Sequence, residues 1–416
     1  MKKYVKPAKI DGQVTAPASK SMVQRVFAAA LLAEEPARIV NVTYSDDAKA
    51  ALRVIAALGA IVSIANREVV IRGGQNPSGE ILNCGESGLS LRMFSAVASL
   101  WPQELTLSGA GSLRKRPVDM IEKPLKELGV TVTISSGCPP LTVQGPLQGG
   151  EAEVDGSISS QFLTGLLIAL PTAPQDSCLK VHNLKSTPYI DMTLALLKAC
   201  GIEVQNSNYQ IFRMKGRQKY QVGEYRVEGD WSGAAFLLAA GAIAGRTVVS
   251  GLDISSPQAD RRFITALQAA GAGVKMDGST VEVKKKALNA FDFDATDCPD
   301  LFPPLLALAC NCRGITTIKG VQRLKYKESN RAAVLTKEFS ALGAKIETTG
   351  NLMKITGTKL KGGTVDSHND HRIAMAAALA ALNADAEVTI IGYQCVAKSY
   401  PDFFEDISSI GGIVYE

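Results

Sequence analysis

Polar or small residues recur at matching places along the chain, where they could bind anions. Each stands 39 to 43 positions before a glycine that ends a repeated segment, and the set is Lys20, Gly88, Ser160, Asp230, Asp300 and His371. Each is expected at the start of a helix, where unpaired N–H groups and a partial positive charge favour anions. Any one alone is most simply a helix cap. Their recurrence indicates a shared anion site.

Three cations recur in the same way, each expected at the start of the outer helix that ends at its glycine. Arg116 and Lys398 each stand 13 residues before their glycines, and Arg331 stands 12 before its own. A single cation of this kind is most simply a solvated loop residue. At equivalent places in three segments, they predict a strongly cationic cleft between two domains, suited to small anionic molecules.

The glycines mark a repeat of about seventy residues. They are Gly59, Gly129, Gly201, Gly271, Gly343 and Gly411, with successive differences of 70, 72, 70, 72 and 68. Each follows an amphipathic stretch and precedes a β-like run. We therefore predict that each ends a helix with a positive φ before the chain enters a strand.

A second helix, rich in Ala and Leu, precedes each glycine; RIAMAAALAAL (372–382) is an example. Its apolarity predicts burial on all sides. With the β-branched runs between the helices, each repeat is predicted to be strand, buried helix, strand, outer helix, strand and strand. Six such units give three per domain. Stacked helical repeats of roughly 33 residues have no such strands and fit poorly.

Bulk properties agree with a two-domain α/β protein of 416 residues. The net charge of +5 is small for this length, and without interleaved aromatic residues it argues against nucleic-acid binding. Eight scattered cysteines, without a CxxC pair, favour a reducing compartment and no metal site. There is no apolar run typical of a signal peptide or a membrane span. We expect a cytoplasmic protein.

Five motifs in a fixed order carry a family resemblance. They are SKS (19–21), SSQFLT (159–164), KYKESNR (325–331), NDHR (369–372) and AKSYPDFF (397–404). Each is weak alone, but in this order and spacing the chain resembles the EPSP synthase family of enolpyruvyl transferases from end to end.

The resemblance implies an α/β fold of two similar domains, each built from three βαβαββ units. This is the inside-out α/β barrel of the enolpyruvyl transferase fold, with the active site in the interdomain cleft. One domain is predicted at 19–228, on the shikimate 3-phosphate side. The other is predicted at 1–18 plus 229–416, with the catalytic carboxylates and phosphoenolpyruvate side. The crossings near Ala18 and Gly229 would act as hinges.

The implied reaction transfers the enolpyruvyl group of phosphoenolpyruvate (PEP) to the 5-hydroxyl of shikimate 3-phosphate, releasing phosphate through a tetrahedral ketal. The reaction belongs to the chorismate pathway of aromatic amino-acid biosynthesis. It needs a base for the hydroxyl and an acid for the methylene carbon. By motif match, Asp300 is the expected base, Glu328 the expected acid, and Lys20 a further catalytic group. Neither a cofactor nor a metal is expected, and we expect a monomer.

The same match predicts two binding sets that share Lys20 and Gln161. Shikimate 3-phosphate is expected to contact Lys20, Ser21, Arg25, Ser159, Ser160, Gln161, Ser186, Tyr189, Asp300 and Lys327. PEP is expected to contact Lys20, Gly88, Arg116, Gln161, Arg331, Arg372 and Lys398.

The chain departs from the commonest family pattern at three places. Glu86 and Leu89 stand where many members have Asn and Thr, and Arg323 replaces a frequent Asn. Glu86 is expected either to face solvent or to pair with Arg92. Because Gly88 is retained, we predict inhibition by the PEP mimic glyphosate.

Two alternatives remain open. The related transferase that uses UDP-N-acetylglucosamine typically has a cysteine in the loop before its Arg-Pro and an Asn after the early Lys. Here the loop is GAGSLRKRP and Ser21 follows Lys20, which favours the shikimate ester. A non-catalytic anion-binding protein is a more remote alternative, because both Asp300 and Glu328 are present. His182 and His368 are expected to be surface or supporting residues.

Overall fold

The computed structural model describes residues 1–74 and 76–416, and the chain divides into two compact units. The continuous unit comprises Ala18–Val227, and the split unit comprises Met1–Pro17 and Glu228–Glu416. The boundaries predicted from the sequence, 18/19 and 228/229, each differ from these by one residue.

The α-helices of both units follow the predicted alternation of buried and outer helices. Their bounds are α1 (Lys20–Leu31), α2 (Asp46–Ala57), α3 (Gly88–Ala98), α4 (Glu122–Glu127), α5 (Gln161–Ala169), α6 (Thr187–Ala199), α7 (Trp231–Ala244), α8 (Phe263–Ala269), α9 (Phe302–Cys310), α10 (Arg331–Ala341), α11 (His371–Leu382) and α12 (Phe403–Ser409).

The strands are short, mostly three to six residues long. Their bounds are β1 (Lys2–Lys6), β2 (Ile10–Thr15), β3 (Ala37–Val40), β4 (Ile61–Ala65), β5 (Glu68–Arg72), β6 (Ile81–Asn83), β7 (Glu104–Ser108), β8 (Thr131–Ile134), β9 (Leu141–Gln144), β10 (Gly150–Asp155), β11 (Ser177–His182), β12 (Gln205–Ser207), β13 (Ile211–Met214), β14 (Glu224–Arg226), β15 (Gly245–Ser250), β16 (Gly273–Asp277), β17 (Thr280–Lys284), β18 (Asp292–Asp294), β19 (Ile315–Lys319), β20 (Lys345–Thr349), β21 (Leu352–Thr356), β22 (Gly363–Asp366), β23 (Val388–Ile391) and β24 (Ile413–Tyr415).

The described strands form six four-stranded sheets, three in each unit. The sheet β10-β11-β13-β12 illustrates the common pattern: β10 and β11 are parallel, and the hairpin of β12 and β13 adds antiparallel to β11. The parallel pair requires a crossover, which the buried helix supplies. This is the predicted βαβαββ unit.

Three sheets are completed by strands from distant parts of the sequence. In the continuous unit, β14 pairs parallel with β3. In the split unit, β2 pairs parallel with β15, and β1 lies between β23 and β24. The repeat spacing alone did not predict these pairings, because it counts residues along the chain and contains no information on which strand closes a sheet.

The six repeat glycines adopt the predicted conformation. Their φ values are 95° at Gly59, 86° at Gly129, 76° at Gly201, 84° at Gly271, 91° at Gly343 and 105° at Gly411. An L-residue with a side chain is strained there, so glycine lets each helix end and the chain turn into a strand. The prediction from the spacing is confirmed.

The apolar helices form the interior of each unit. Every residue of α11 is buried, and so is every residue of α7 except Ser232. A helix that is apolar on all faces must be surrounded by protein, and this prediction is also confirmed. This packing holds the N-termini of the helices in place, and the recurring residues predicted to bind anions lie at or next to these N-termini.

The predicted position of two cations was wrong in detail. Arg331 is the first residue of the outer helix α10. Arg116 and Lys398 instead lie at the ends of 3-10 turns, residues Gly111–Lys115 and Tyr393–Lys398, that precede α4 and α12. Proline limits the helix start in both segments, since Pro117 and Pro401 follow closely and disfavour a helical residue before them.

Candidate active site

In the continuous unit, α1 places the predicted residues Lys20 and Ser21 at its N-terminus. Ser19 caps the helix by accepting a hydrogen bond from the Met22 amide, so α1 begins at Lys20. The Lys20 Nζ atom lies 3.0 Å from Oδ2 of Asp47, which lies at the start of α2. Asp47 was not singled out from the sequence. Two successive acidic residues after a Ser cap are common at helix starts, which left no distinguishing signal.

Arg25 lies one turn further along α1 and joins α1 to α6. Its Nη1 donates to the Ser21 carbonyl at 2.7 Å, its Nε to Thr193 Oγ1 at 3.0 Å and its Nη2 to the Tyr189 carbonyl at 3.2 Å. Burial lowers the pKa of Arg25 to about 10, although the group stays charged at neutral pH. Arg25 thereby fixes the backbone of two other predicted phosphate-site residues, Ser21 and Tyr189.

The serines predicted to bind the phosphate ester lie at the starts of α5 and α6. Ser159 Oγ accepts the Gln161 amide at 3.2 Å, and Ser160 is the residue before the first turn of α5. Ser186 precedes α6 with φ 58° and ψ 46°. Both helix ends present N–H groups that can donate hydrogen bonds to an anion.

Gly88 begins α3 beside two guanidinium groups. A Cβ atom built at Gly88 would lie 3.0 Å from Arg116 Nη1, 3.1 Å from Arg92 Nη1 and 3.5 Å from Gln161 Oε1. Arg92 Nη1 donates to that same Gln161 oxygen at 2.8 Å. Burial, and to a smaller extent Arg116, lowers the pKa of Arg92 to about 10. Neighbouring buried cations repel each other, so an anion here would stabilise both.

Arg92 was not predicted to be a site residue. From the sequence it was named only as one of two alternatives for Glu86, as its pairing partner. In the structure, Glu86 Oε2 lies 3.4 Å from the Ser112 amide and 3.5 Å from Ser112 Oγ, a contact that neither sequence alternative named. Ser112 Oγ also accepts Arg116 Nη2 at 3.2 Å. Ser112, in the loop GAGSLRKRP, therefore connects Glu86 to Arg116 of the same loop.

In the split unit, Arg331 contacts three carboxylates. Its Nε donates to Asp370 at 2.9 Å, its Nη1 to Asp300 at 2.8 Å, and its Nη2 to both Glu328 and Asp370. Burial alone would lower the pKa of Arg331, but the three carboxylates outweigh it and raise that pKa. The predicted base and acid are thus held by the same guanidinium group.

Asp300 contacts two further cations. Lys327 Nζ lies 3.2 Å from Oδ1, and Arg372 Nη2 lies 3.3 Å from Oδ2. The side chains of Asp300 and Glu328 are 19% and 18% exposed, whereas that of Arg331 is 0% exposed. Both carboxylates can therefore meet a substrate from the solvent side, while Arg331 fixes them from the protein side. Burial lowers the pKa of Lys327.

The remaining cations of the predicted PEP set, Arg372 and Lys398, meet at the NDHR segment. Asp370 caps α11 by accepting the Arg372 amide at 3.0 Å, and it accepts Ser329 Oγ at 3.0 Å as well as Arg331. Lys398 Nζ donates to the Asn369 carbonyl at 2.7 Å. His371 is the first residue of α11 and is buried. The structure thus brings Lys398 to the same segment as Arg372.

His182 and His368, which were predicted to be surface or supporting residues, have different surroundings. His368 Nε2 lies 2.9 Å from Glu338 Oε1, next to the NDHR segment. His182 is exposed at the end of β11. Within residues 1–74 and 76–416, no three His, Cys, Asp or Glu side chains are grouped as a metal site would require. Over the same residues, no helix has the length and apolarity needed to cross a membrane.

Comparison with known proteins agrees with the motifs and the fold. Residues 5–407 match the family model of EPSP synthase (3-phosphoshikimate 1-carboxyvinyltransferase). The 3-phosphoshikimate 1-carboxyvinyltransferase of Methanocorpusculum labreanum is 38% identical over 422 residues, covering 100% of both chains. That of Clostridium novyi is 37% identical, covering 99% of this chain and 97% of the relative. A solved EPSP synthase structure from Acinetobacter baumannii superposes with a TM-score of 0.84 at 26% identity, over 100% of each chain.

Fold and matches together define an enolpyruvyl transferase of two α/β units. The chain belongs to the EPSP synthase family. It transfers the enolpyruvyl group from PEP to shikimate 3-phosphate, a step of aromatic biosynthesis.

Proposed function

We propose that Asp300 and Glu328 perform the proton transfers of this reaction. The observation that carries the proposal is the pairing of both carboxylates with Arg331, while each keeps about a fifth of its side chain exposed. A base and an acid must be held at fixed positions and still reach the substrate.

In the proposed reaction, Asp300 and Glu328 each accept or donate a proton at a defined step. Asp300 takes the proton of the 5-hydroxyl as its oxygen bonds to the central carbon of PEP, and Glu328 protonates the methylene carbon. The tetrahedral ketal then loses phosphate, which takes up the proton held by Asp300, and Glu328 takes a proton back from the new methyl group as the double bond re-forms. Lys20, a point charge at the start of α1, stabilises the negative charge that moves to phosphate.

PEP carries a phosphate and a carboxylate, and the proposed PEP set is rich in cations. It comprises Lys20, Gly88, Arg116, Gln161, Arg331, Arg372 and Lys398. The close approach of Arg116 to Gly88 supports this assignment, because a side chain there would take up space beside the guanidinium group. Arg331 and Arg372 already contact the Asp300 carboxylate, so PEP oxygens would share these donors with it.

The proposed shikimate 3-phosphate set combines hydroxyls, helix N-termini and charges. It comprises Lys20, Ser21, Arg25, Ser159, Ser160, Gln161, Ser186, Tyr189, Asp300 and Lys327. The Ser159-Ser160-Gln161 run at the start of α5 supports a phosphate contact there. Arg25 contributes by fixing Ser21 and Tyr189, since its nitrogen atoms donate to their carbonyl groups.

Steady-state kinetics with single variants tests these assignments. Ser159→Ala and Lys327→Met should raise the KM for shikimate 3-phosphate by roughly tenfold or more, with a smaller change in the KM for PEP. Lys398→Met and Arg116→Lys should raise the KM for PEP by roughly tenfold or more, with a smaller change in the KM for shikimate 3-phosphate. Exposed Lys286→Met, in the split unit, is the matched control and should leave both values unchanged. Equal changes in both KM values for every variant would contradict the division into two sets.

We further infer that the enzyme works as a cytoplasmic monomer without metal or cofactor. The eight cysteines are all unbridged, which supports a reducing compartment. Light scattering during size-exclusion chromatography tests the monomer, and full activity after exhaustive chelation tests the absence of a metal requirement. A dimer mass or a chelation-sensitive activity would contradict the respective statement.

A further inference from the structure

A buried carboxyl group outside both proposed binding sets lies beside the catalytic cluster of the split unit. Asp260 lies in the 3-10 turn Ala259–Arg262 that precedes α8, and only 2% of its surface is exposed. Its Oδ2 accepts a short hydrogen bond from Ser232 Oγ in the first turn of α7. Within residues 1–74 and 76–416, its Oδ1 atom has no hydrogen-bond partner.

Helix capping does not explain this carboxyl group. The N-terminus of α7 is capped by Asp230, whose Oδ1 accepts the Ser232 amide at 2.8 Å and the Gly233 amide at 3.2 Å. The 3-10 turn that contains Asp260 has no side-chain cap. A buried carboxylate that accepts one hydroxyl and no amide is destabilising for the fold, so its presence points to a role in the site.

The groups facing Asp260 come from every element packed around it. Asp230 and Ser232 lie at the start of α7, Arg372 in α11, and Asp300 and the neutral thiol of Cys298 in the segment before α9. Arg262, in the same turn, lies 4.0 Å from the Cys298 sulfur. Arg372, whose Nη2 lies 3.3 Å from Asp300 Oδ2, also attracts the Asp260 carboxylate through space.

We propose that Asp260 is a positioning residue for the reaction, acting through Arg372 and Asp300 and never touching substrate. Its negative charge offsets part of the charge of Arg372, so PEP is held less tightly and phosphate leaves more readily. The same charge opposes the ionised form of Asp300 and makes Asp300 a stronger base. The proposal rests on the assignment of Arg372 to PEP made above.

Electrostatics support a change of charge at Asp260 in the working pH range. Burial, followed by repulsion from Asp300, raises the pKa of Asp260 to about 6, although Arg372 and the Ser232 hydroxyl oppose the rise. Asp260 is then ionised above about pH 6 and neutral below. Binding of PEP should therefore tighten as pH falls through this range, beyond the change caused by the titration of PEP itself.

Asp260→Asn tests the proposal, because asparagine keeps the shape and removes the charge. KM for PEP and kcat are measured from pH 5.5 to 9 for the wild type and the variant. Since the titration of PEP is common to both enzymes, the ratio of their KM values isolates Asp260. We expect the variant to lower KM for PEP above pH 7 by roughly threefold or more, with the ratio approaching one near pH 5.5. The acid limb of its kcat profile should move to lower pH.

A merely structural role for Asp260 predicts a different result. It would lower kcat at every pH by one factor, with the KM ratio flat and the acid limb unmoved, and this outcome would overturn the proposal. The exposed Asp277→Asn variant, at the end of β16, removes a carboxylate from the same unit and should match the wild type.

Two further variants keep the test decisive. Ser232→Ala retains the carboxyl group but removes the hydrogen bond that favours its ionised form, so the step in KM should move to higher pH. If Asp260→Asn does not fold, this variant alone decides: an unmoved step overturns the proposal. Arg372→Lys separates the two assignments. If Arg372→Lys raises the KM for PEP while Asp260→Asn matches the wild type, the proposal for Asp260 fails and Arg372 keeps its role in PEP binding. If Arg372→Lys leaves the KM for PEP unchanged, both the assignment of Arg372 and the proposal for Asp260 fail.

Discussion

Arg331 and Asp370 form a bidentate ion pair in which both side chains are fully buried. The Nε–Oδ2 distance is 2.9 Å and the Nη2–Oδ1 distance is 3.1 Å. The same guanidinium contacts Asp300 and Glu328. Asp370 therefore fixes the orientation of the group that holds both the proposed base and the proposed acid.

Asp370→Ala should destabilise the fold and reduce activity together. Removing one partner of a buried pair typically costs about 3–5 kcal/mol, because the other charge loses its compensation. Asp370 also caps α11, which adds to the loss. Urea unfolding measures the effect, with Asp277→Ala as an exposed control. A loss below about 1 kcal/mol would contradict the central place given to the Arg331–Asp370 pair.

Asp300→Asn and Glu328→Gln should each lower kcat by roughly a hundredfold or more, since each removes a general acid or base. The pH profiles should differ between the two variants. A base must be ionised and an acid protonated, so the first variant should lose the acid limb of kcat and the second the alkaline limb. Full activity of Asp300→Asn would show that another group is the base. Loss of the same limb in both variants would contradict the division of roles.

Gly88→Ala should weaken both PEP and its mimic glyphosate. The new Cβ lies 3.0 Å and 3.1 Å from the nearest nitrogen atoms of Arg116 and Arg92, so these groups must shift by a few tenths of an ångström. We expect the wild type to be inhibited by glyphosate and the variant to need a higher concentration. Gly79→Ala is the matched control, because its Cβ meets nothing within 4 Å. Full wild-type activity in millimolar glyphosate would contradict the prediction.

Asp260→Asn should make the fold more stable at neutral pH. The pKa of Asp260 is about 6 in the folded protein against an ordinary 3.8, so the folded state binds the proton more tightly. Its contribution to stability is therefore present in full below pH 3.8 and is lost as pH rises through 6. The variant lacks this loss, which is on the order of 3 kcal/mol.

The difference in unfolding free energy between Asp260→Asn and the wild type measures this effect. It should grow from pH 4 to pH 8, as followed by urea unfolding at both values. A difference that stays constant with pH would mean that the carboxyl group does not titrate in this range. Asp277→Asn should give such a constant difference.

The repeat was predictable because its physical cause is local. A glycine with positive φ, such as Gly59 or Gly411, ends a helix through its own backbone freedom, and the apolar pattern of α11 reports its own burial. Strand partners far apart in the sequence were not predictable. The pairing of β2 with β15 and of β14 with β3 depends on where the chain leaves and re-enters the split unit, which no short segment encodes.

The site was predictable where a motif names the residue and unpredictable where packing creates the contact. Asp300, Glu328 and Arg331 came from motifs, and the structure places them in contact. Asp260 and Asp47 lie in segments without distinctive composition. Their relevance comes from neighbours that the fold brings near, Ser232 for Asp260 and Lys20 for Asp47.

The most direct test of the account is acceptor choice in a phosphate-release assay. The purified enzyme is given PEP with shikimate 3-phosphate or with UDP-N-acetylglucosamine, and phosphate release is followed alongside product mass. Ser21, the cysteine-free loop GAGSLRKRP and the Ser159-Ser160-Gln161 run predict release with shikimate 3-phosphate and none above background with the nucleotide sugar. Release with UDP-N-acetylglucosamine alone, or with neither acceptor, would contradict the account.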